Sequence, residues 1–226
     1  YGLVVNNLRI VTGQALYNAN FTPATTNLTA SVIGHQGLEN TPITGTVRIL
    51  TARDAYRIDR SPNNHTIGSS GSPQFLPISP FAPTQAYVAS QLGGSGYFDG
   101  SDYLDIPIAN SSVFDISGAF SLECWFYYTS SSPGNSAIIG KGGGSPGWST
   151  TNGNQWGLLT DGGSLYWMVN NGSGGNWSIS TTTPASFTWH HVAISYNGTT
   201  TRVWLNGSSI GTNTSSYGLP TTRNML

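Results

Sequence analysis

Between Thr188 and Gly211 apolar and polar residues alternate with a period of two, and the alternation is interrupted twice by Asn-Gly. The runs TWHHVAISY, TTTRVWL and SSIG, separated by Asn197-Gly198 and Asn206-Gly207, predict three antiparallel strands. Asn-Gly is the strongest short hairpin signal, because both residues of a two-residue turn must accept positive φ. Counting outward from Asn197-Gly198 places Val192 opposite Val203, Ile194 opposite Thr201 and His190 opposite Leu205. It also places His191 opposite Trp204 and Ala193 opposite Arg202, and the second turn puts Val203 opposite Ile210. One face of this meander is apolar and largely β-branched. The other carries Trp189, His191, Arg202 and Trp204. With a period of two, two turns agreeing on one apolar face is a consistency test of the register.

Similar alternation predicts strands at 96–98, 103–106, 120–128, 137–141, 155–160, 164–170, 177–180, 189–196, 200–205 and 208–212, with Gly/Asn/Ser clusters between them. No segment of ten or more residues keeps a clean helical period. The expected fold class is therefore all-β, an antiparallel β-sandwich or jelly roll, preceded by an extended Pro/Gly/Ser-rich segment. Residues 3–11 also read as a strand, but Leu3 and Val5 share one face while Leu8 and Ile10 share the other, which predicts a bulge at Asn6-Asn7. Residues 31–94 are rich in Pro, Gly, Ser and Asn, with one strand expected at 46–51. Pro73, Pro77, Pro80 and Pro83 keep their neighbourhood extended. This stretch is expected to lie against a neighbour as a connecting region.

The chain of 226 residues has room for one large β domain, or one domain and part of a second. Only 8% of residues are charged, against about a quarter in ordinary globular domains. Ser, Thr, Asn and Gly must then cover the surface. A net charge of −1 gives no electrostatic footprint for nucleic acid, and no apolar run approaches the length of a membrane span. With Lys141 as the one lysine, solubility rests on neutral hydrogen-bonding groups and on assembly or an extracellular setting. Cys124, the one cysteine, lies beside Leu122 and Phe126 in an alternating run and reads as a small buried hydrophobe.

Several segments together resemble a known family. Tyr97-Phe-Asp-Gly-Ser-Asp-Tyr-Leu104, Phe120-Ser-Leu-Glu-Cys-Trp-Phe126, Ile138-Ile-Gly-Lys141, Trp189-His-His-Val-Ala193 and Val203-Trp-Leu-Asn-Gly207 follow one another as in laminin-G-like, concanavalin-A-like jelly rolls. The order and spacing are similar from residue 95 to the C-terminus. The charge-poor, Ser/Gly/Asn-rich wording is similar to versions in tail-fibre and other virion proteins of marine phages, cyanophage-like ones in particular. Family members finish with a strand like residues 2–11 and a segment like 13–23, which here stand at the N-terminus. The resemblance thus implies three parts. Residues 1–30 are a terminal strand segment, 31–94 a connecting region, and 95–226 a jelly roll lacking its last strands. Either the chain is cut from an array, with 1–30 finishing a preceding domain, or 1–30 completes 95–226 by permutation or swapping. The array is the favoured arrangement.

The superfamily includes endoglucanases, and retaining hydrolysis needs two carboxyl groups about 5–5.5 Å apart. Glu39 and Glu123 are the only glutamates, and Glu123 has no acid at 121, 125 or 127. No catalytic residue is assigned. His190 and His191 point to opposite faces of their strand and do not converge on one ion. The resemblance implies calcium at a loop rim, for which Asp99 and Asp102 are the candidate ligands, although Asp99-Gly100 is also an ordinary turn. Trp148, Trp156, Trp167 and Trp177, with Asn154 and Asn176, are the candidate carbohydrate-binding residues, as aromatic faces among neutral amides and hydroxyls. At least half of these tryptophans are expected in the core. His191, Arg202 and Trp204 form a candidate platform or interface against residues 31–94 or another subunit. The expected function is a non-enzymatic phage virion protein (tail fibre, spike or capsid decoration) at the virion surface. It would assemble with other virion subunits, as a homo-oligomer, and display its fold to host-surface glycan without nucleic acid or membrane insertion. The alternative is the carbohydrate-binding module of a secreted carbohydrate-active protein.

Overall fold

The structure, a computed structural model, describes residues 2–54, 57–81, 94–107, 112–116, 118–131, 133–142, 155–170, 176–215 and 217. Its strands are β1 (Leu3–Thr12), β2 (Thr46–Thr51), β3 (Gly68–Ser70), β4 (Gln74–Leu76), β5 (Ser95–Phe98), β6 (Tyr103–Asp105), β7 (Phe120–Tyr128), β8 (Ser136–Lys141), β9 (Trp156–Asp161), β10 (Ser164–Asn170), β11 (Asn176–Thr182), β12 (Trp189–Tyr196), β13 (Thr201–Leu205) and β14 (Ser208–Asn213). A large sheet runs β14-β13-β12-β7-β1-β5-β4, with β2 also paired to β1. A smaller sheet runs β11-β10-β9-β8, and β3 pairs with β6. The chain adopts the all-β antiparallel sandwich expected from its alternation.

The core lies between the two sheets. Leu3, Val5, Ile10, Leu122, Cys124, Phe126, Val192, Ile194 and Val203 enter it from the large sheet. Ile139, Trp156, Leu158, Leu165, Trp167, Val169 and Ile179 enter it from the small one, and Leu205 packs at its margin half-buried. Each fully buried aliphatic or aromatic side chain contributes roughly 1.5–3 kcal/mol relative to exposure.

The β12–β13 hairpin keeps the expected faces but not the expected partners. Val192 faces Leu205, Ala193 faces Trp204, Ile194 faces Val203 and Tyr196 faces Thr201. The connection is a four-residue loop, 197–200. Asn197 Oδ1 accepts hydrogen bonds from the N–H groups of Thr199 (3.1 Å) and Thr200 (2.8 Å). That side-chain capture lengthens the loop by two residues. Because the slip is even, every side chain stays on its face. The second turn is a two-residue turn as expected, with Asn206 at φ 51 and Gly207 at φ 79. A bulge between Val203 and Trp204 then sets Val203 against Gly211 rather than Ile210.

β1 sits inside the large sheet. It pairs with β7 on one side, while β5 and β2 share the other. The expected bulge is present: Asn7 has φ 52, and the β1–β7 register shifts between Asn6 and Arg9. It reverses the parity, so that Leu3, Val5 and Ile10 all reach one core.

Residues 14–44 form a strap across the outer face of the large sheet, where a second core gathers Leu16, Tyr17, Ala24, Leu28 and Ile33 over Val11, Ala193 and Trp204. Polar bonds fix its path. Leu16 N–H donates to Ser121 Oγ of β7 (2.7 Å), and Phe21 N–H donates to Gly207 O (3.1 Å). Leu28 N–H donates to Asn7 Oδ1 at the β1 bulge (2.8 Å). The stretch expected to be an extended connector is thus, through residue 44, packed on its own sheet.

Gly207 is where the strap meets the second turn, and a Cβ built there would lie 1.8 Å from Phe21 O. Gly198, at φ 97, has nothing within 4 Å. Both alanine substitutions cost backbone strain of about 1–3 kcal/mol. In urea denaturation, Gly207→Ala is expected to lose clearly more stability than Gly198→Ala, because it also displaces the strap. Equal losses would show that the strap does not bear on the turn.

Candidate functional site

Charged side chains are scarce, so the pair buried at mid-strand is informative. Arg9 of β1 lies directly opposite Glu123 of β7, both on the outer face, and both are sealed, at 0% and 1% exposure. Glu123 Oε1 accepts from Arg9 Nε (2.8 Å), Arg9 Nη2 (2.6 Å) and Tyr17 OH (2.5 Å). Arg9 Nη1 donates to Thr29 O (2.8 Å) and Val32 O (2.9 Å), and Nη2 to Ile33 O (2.8 Å). All five guanidinium N–H groups are therefore used, three of them on strap carbonyls.

Two imidazoles complete the cluster on Glu123 Oε2, His35 Nε2 at 2.8 Å and His191 Nε2 at 3.1 Å. His35 comes from the strap and His191 from β12. His35 Nδ1 accepts the Ala24 N–H (2.7 Å). That nitrogen carries no proton, so Nε2 does, and it donates to the carboxylate. Burial works to raise the Glu123 carboxyl, but the Arg9 charge, with His35 and His191 beside it, prevails and holds it well below the usual range. Burial lowers the His191 imidazole below its usual 6.5 against the opposing pull of Glu123. Burial, with Glu123 beside it, keeps the Tyr17 phenol protonated.

His35, Glu123 and His191 bring ligand-type atoms within 4.8 Å of one another, the geometry of a metal-binding group. Their hydrogen bonding does not fit a cation. A histidine ligand offers one nitrogen lone pair while its other nitrogen donates a proton. In His35 the free lone pair is already taken by Ala24, and the other nitrogen carries the proton aimed at Glu123. The carboxylate is neutralised by Arg9. The cluster is a structural clamp. It also lacks a second carboxylate among Glu123's partners, and it is closed to solvent, so it offers no acid pair for glycoside hydrolysis.

The expected site residues scatter. Of the four candidate tryptophans, at least half of which were expected in the core, Trp156 and Trp167 are core residues at 2% and 1% exposure, with ring centroids 5.5 Å apart. Trp177 is half-buried and packs against Tyr217. Asn176 opens β11, and Trp148 and Asn154 lie outside the described residues. His191 and Trp204 are not an open platform, because the strap covers them. Arg202 is half-buried, opposite Ser195. Trp204 faces Ala193, and Asn206 Oδ1 instead takes the His191 N–H. Asp99 and Asp102, expected to offer calcium ligands, organise a turn. Asp99 Oδ1 accepts from Ser101 N and Oγ, and Asp102 Oδ1 accepts from Ser72 N.

Sequence reasoning missed Arg9, Tyr17 and His35 as partners of Glu123. The available signal was a charged residue at the middle of each of two apolar strands in a chain nearly free of charge. Such residues require partners.

The outer face also carries an aromatic row at one end. Tyr97 of β5 pairs with Val4 of β1, Val4 with Tyr127 of β7, and Tyr127 with Trp189 of β12. Tyr97, Tyr127 and Trp189 are half-buried. The Tyr127 and Trp189 centroids are 5.5 Å apart at an interplanar angle of 53°.

Residues 98–226 match the family model for the concanavalin A-like lectin/glucanases superfamily. Solved structures of similar fold include the binding domain of botulinum neurotoxin DC in complex with SialylT, at TM-score 0.53 and 14% identity over 77% of this chain and 42% of that one. HCR/D-Sa-GBL1/C is similar at TM-score 0.51 and 14% identity, over 79% and 42%. The botulinum neurotoxin serotype C1 binding domain is similar at TM-score 0.50 and 14% identity, over 78% and 42%. The chain spans less than half the length of these structures, and the likeness is one of fold. No curated protein matches the chain.

Removing one partner of a buried pair leaves an uncompensated charge, at about 3–5 kcal/mol. Glu123→Gln is expected to lose that much in urea denaturation, while Arg9→Met combined with Glu123→Met recovers part of it. Loss below 1 kcal/mol for Glu123→Gln would remove the clamp from the account.

The pH response follows from the two lowered groups. Below pH 6.5 the unfolded chain takes up a proton that folded His191 refuses, so stability falls. Below pH 4.5 the unfolded chain protonates its free Glu123 before the folded chain does, and stability falls again. Melting temperature should therefore decline with acidification from near neutrality. His191→Gln should flatten the upper part of that decline and leave the lower part.

Proposed function

Because the chain belongs to the concanavalin A-like lectin/glucanase superfamily, we propose that it is a non-enzymatic, glycan-recognising display protein of a virion surface: a phage tail fibre, spike or capsid decoration. The observation that carries the non-enzymatic part is the state of Glu123. The carboxylate at the centre of the large sheet is sealed, ion-paired to Arg9 and bonded to three further side chains. A fold that elsewhere supports hydrolysis here uses its acid to fasten the strap. Recognition is supported by a surface poor in charge and rich in Ser, Thr, Asn and Gly, which suits neutral hydroxyl-bearing ligands. The virion setting rests on the resemblance of residues 95–226 to phage fibre domains, and on a composition whose solubility depends on neutral groups.

Assembly with copies of itself and with other virion subunits is part of this reading. A single shallow sugar site binds weakly, and linking copies multiplies the apparent affinity by about 10²–10⁴. A second reading, the binding module of a secreted carbohydrate-active protein, is favoured by one observation: similar folds form less than half of longer binding chains. Sedimentation separates the two, since a virion protein should multimerise and a free module should be a monomer.

The test is a glycan array probed with the chain displayed in multiple copies and again as a monomer. Binding by the multivalent form, its loss in the monomer, and no release of reducing sugar are expected. Reducing-end release, or an empty array for the multivalent form, would overturn the proposal.

A further inference from the structure

We propose that the end of the outer face beyond the strap is a binding site for an extended neutral oligosaccharide, formed by Tyr97, Tyr127, Trp189 and Phe187. This inference rests on the glycan-binding reading and places it on the molecule. Strand alternation sets the row. Phe98, Leu3, Phe126 and Tyr128 belong to the core between the sheets, and His190 packs on Phe126. Their neighbours Tyr97, Val4, Tyr127 and Trp189 therefore point the other way. The strap reaches Ser121 and the Gly207 turn through the backbone N–H groups of Leu16 and Phe21, Glu123 through Tyr17 and His35, and His191 through the Phe21 ring. Among the described residues these contacts stop four positions short of Tyr127 on β7, where Phe81 packs on the intervening Trp125, and two short of Trp189 on β12.

Phe187 adds an independent observation. It is the most exposed large hydrophobic residue among those described, at 58%, and it holds φ 62. Its N–H donates to Tyr128 O (2.9 Å), which fixes it at the end of β7 beside this row. A bulky side chain at positive φ carries backbone strain, and an apolar ring left in water gains nothing from folding. Strained backbone of this kind clusters at ligand-contact sites.

The chemistry selects the occupant. Aromatic faces stack on the C–H face of a pyranose, and the Tyr97 and Tyr127 phenols, with exposed Thr129 and Thr188 nearby in the chain, offer neutral hydrogen-bonding groups. Neighbouring strands lie about 4.8 Å apart, so the row from β5 to β12 extends roughly 15 Å, longer than one sugar ring. The row and its flanks at Gly2, Gln74, Thr129 and Thr188 hold no Lys or Arg, and the one charged neighbour, exposed Asp99 two positions beyond Tyr97, is a carboxylate. A sialylated or sulfated sugar finds no cation there. A linear neutral oligosaccharide does not need one.

Calorimetry and indole fluorescence on the whole chain, with neutral gluco-, galacto- and mannotetraose and with 3′-sialyllactose as probes, test the assignment. At least one neutral tetraose should bind, and 3′-sialyllactose should bind no more tightly. Trp189→Ala and Phe187→Gly should each weaken binding by about five-fold or more, the size of a lost aromatic contact. Glycine suits the φ of residue 187, so Phe187→Gly removes the ring and leaves the fold intact by thermal melt. Tyr103→Ala, an exposed aromatic on β6, should change nothing. If a neutral tetraose binds and neither variant weakens it, the site lies elsewhere and the glycan reading stands. If 3′-sialyllactose binds more tightly than every neutral probe, the neutral-ligand assignment is wrong. If no probe binds even to the multivalent chain, the site and the reading fall together.

Discussion

The ion pair between Arg9 and Glu123 is the constraint on which the rest of the molecule turns. Two full charges lie at the centre of the large sheet, out of reach of water, where leaving either one unpaired would be prohibitive. The guanidinium meets the carboxylate with two of its N–H groups and spends the other three on carbonyls of the strap. Burial of the charges and placement of the strap are therefore one event. Without the strap, Arg9 would have three idle donors and Glu123 would lose Tyr17 and His35. Without the pair, the strap would keep its bonds to Ser121, Asn7 and the Gly207 turn but lose the three that run from Arg9 to its carbonyls.

This clamp also divides the outer face into regions of different use. Where the strap lies, the face becomes a second core, and aromatic residues such as Trp204, Tyr17 and Phe21 pack on one another. Beyond it, Tyr127 and Trp189 remain half-exposed on the same strands. A jelly roll that reserved this face for chemistry would need accessible acids in its middle. Here the acid is consumed by structure, and what the solvent meets is neutral and aromatic.

Much of the fold was legible because alternation with a period of two is a direct imprint of a two-layer β architecture. The strands at 120–128 and 189–196 and the bulge at Asn6-Asn7 could be read that way. The β12–β13 partners could not, since Asn197 drew two backbone N–H groups onto its side chain, a local event that an Asn-Gly dipeptide does not announce. Composition left open which of the four candidate tryptophans are buried, although Leu165, Trp167 and Val169 share one parity on β10 and enter the core together. The clamp was half-visible. Glu123 and Arg9 stand out within apolar strands, but His35 sits in a segment without periodicity, and nothing local ties it to a residue 88 positions away.

The place of β1 has a consequence for how the chain is made. Its closest polar partnership, Arg9 with Glu123, spans 114 residues, and β12 must still dock on β7 before the sheet is whole. Although β2 reaches one side of β1 early, its other side waits for β7, more than a hundred residues later in synthesis. Such long-range pairing makes for slow folding, since loop-closure entropy is lost before any contact rewards it. The reverse also holds. A strand gripped on both sides in the middle of a sheet cannot fray from an end, so escape from the native state needs the large sheet to open as a unit. A protein built this way persists through the height of its unfolding barrier, and not through equilibrium stability alone.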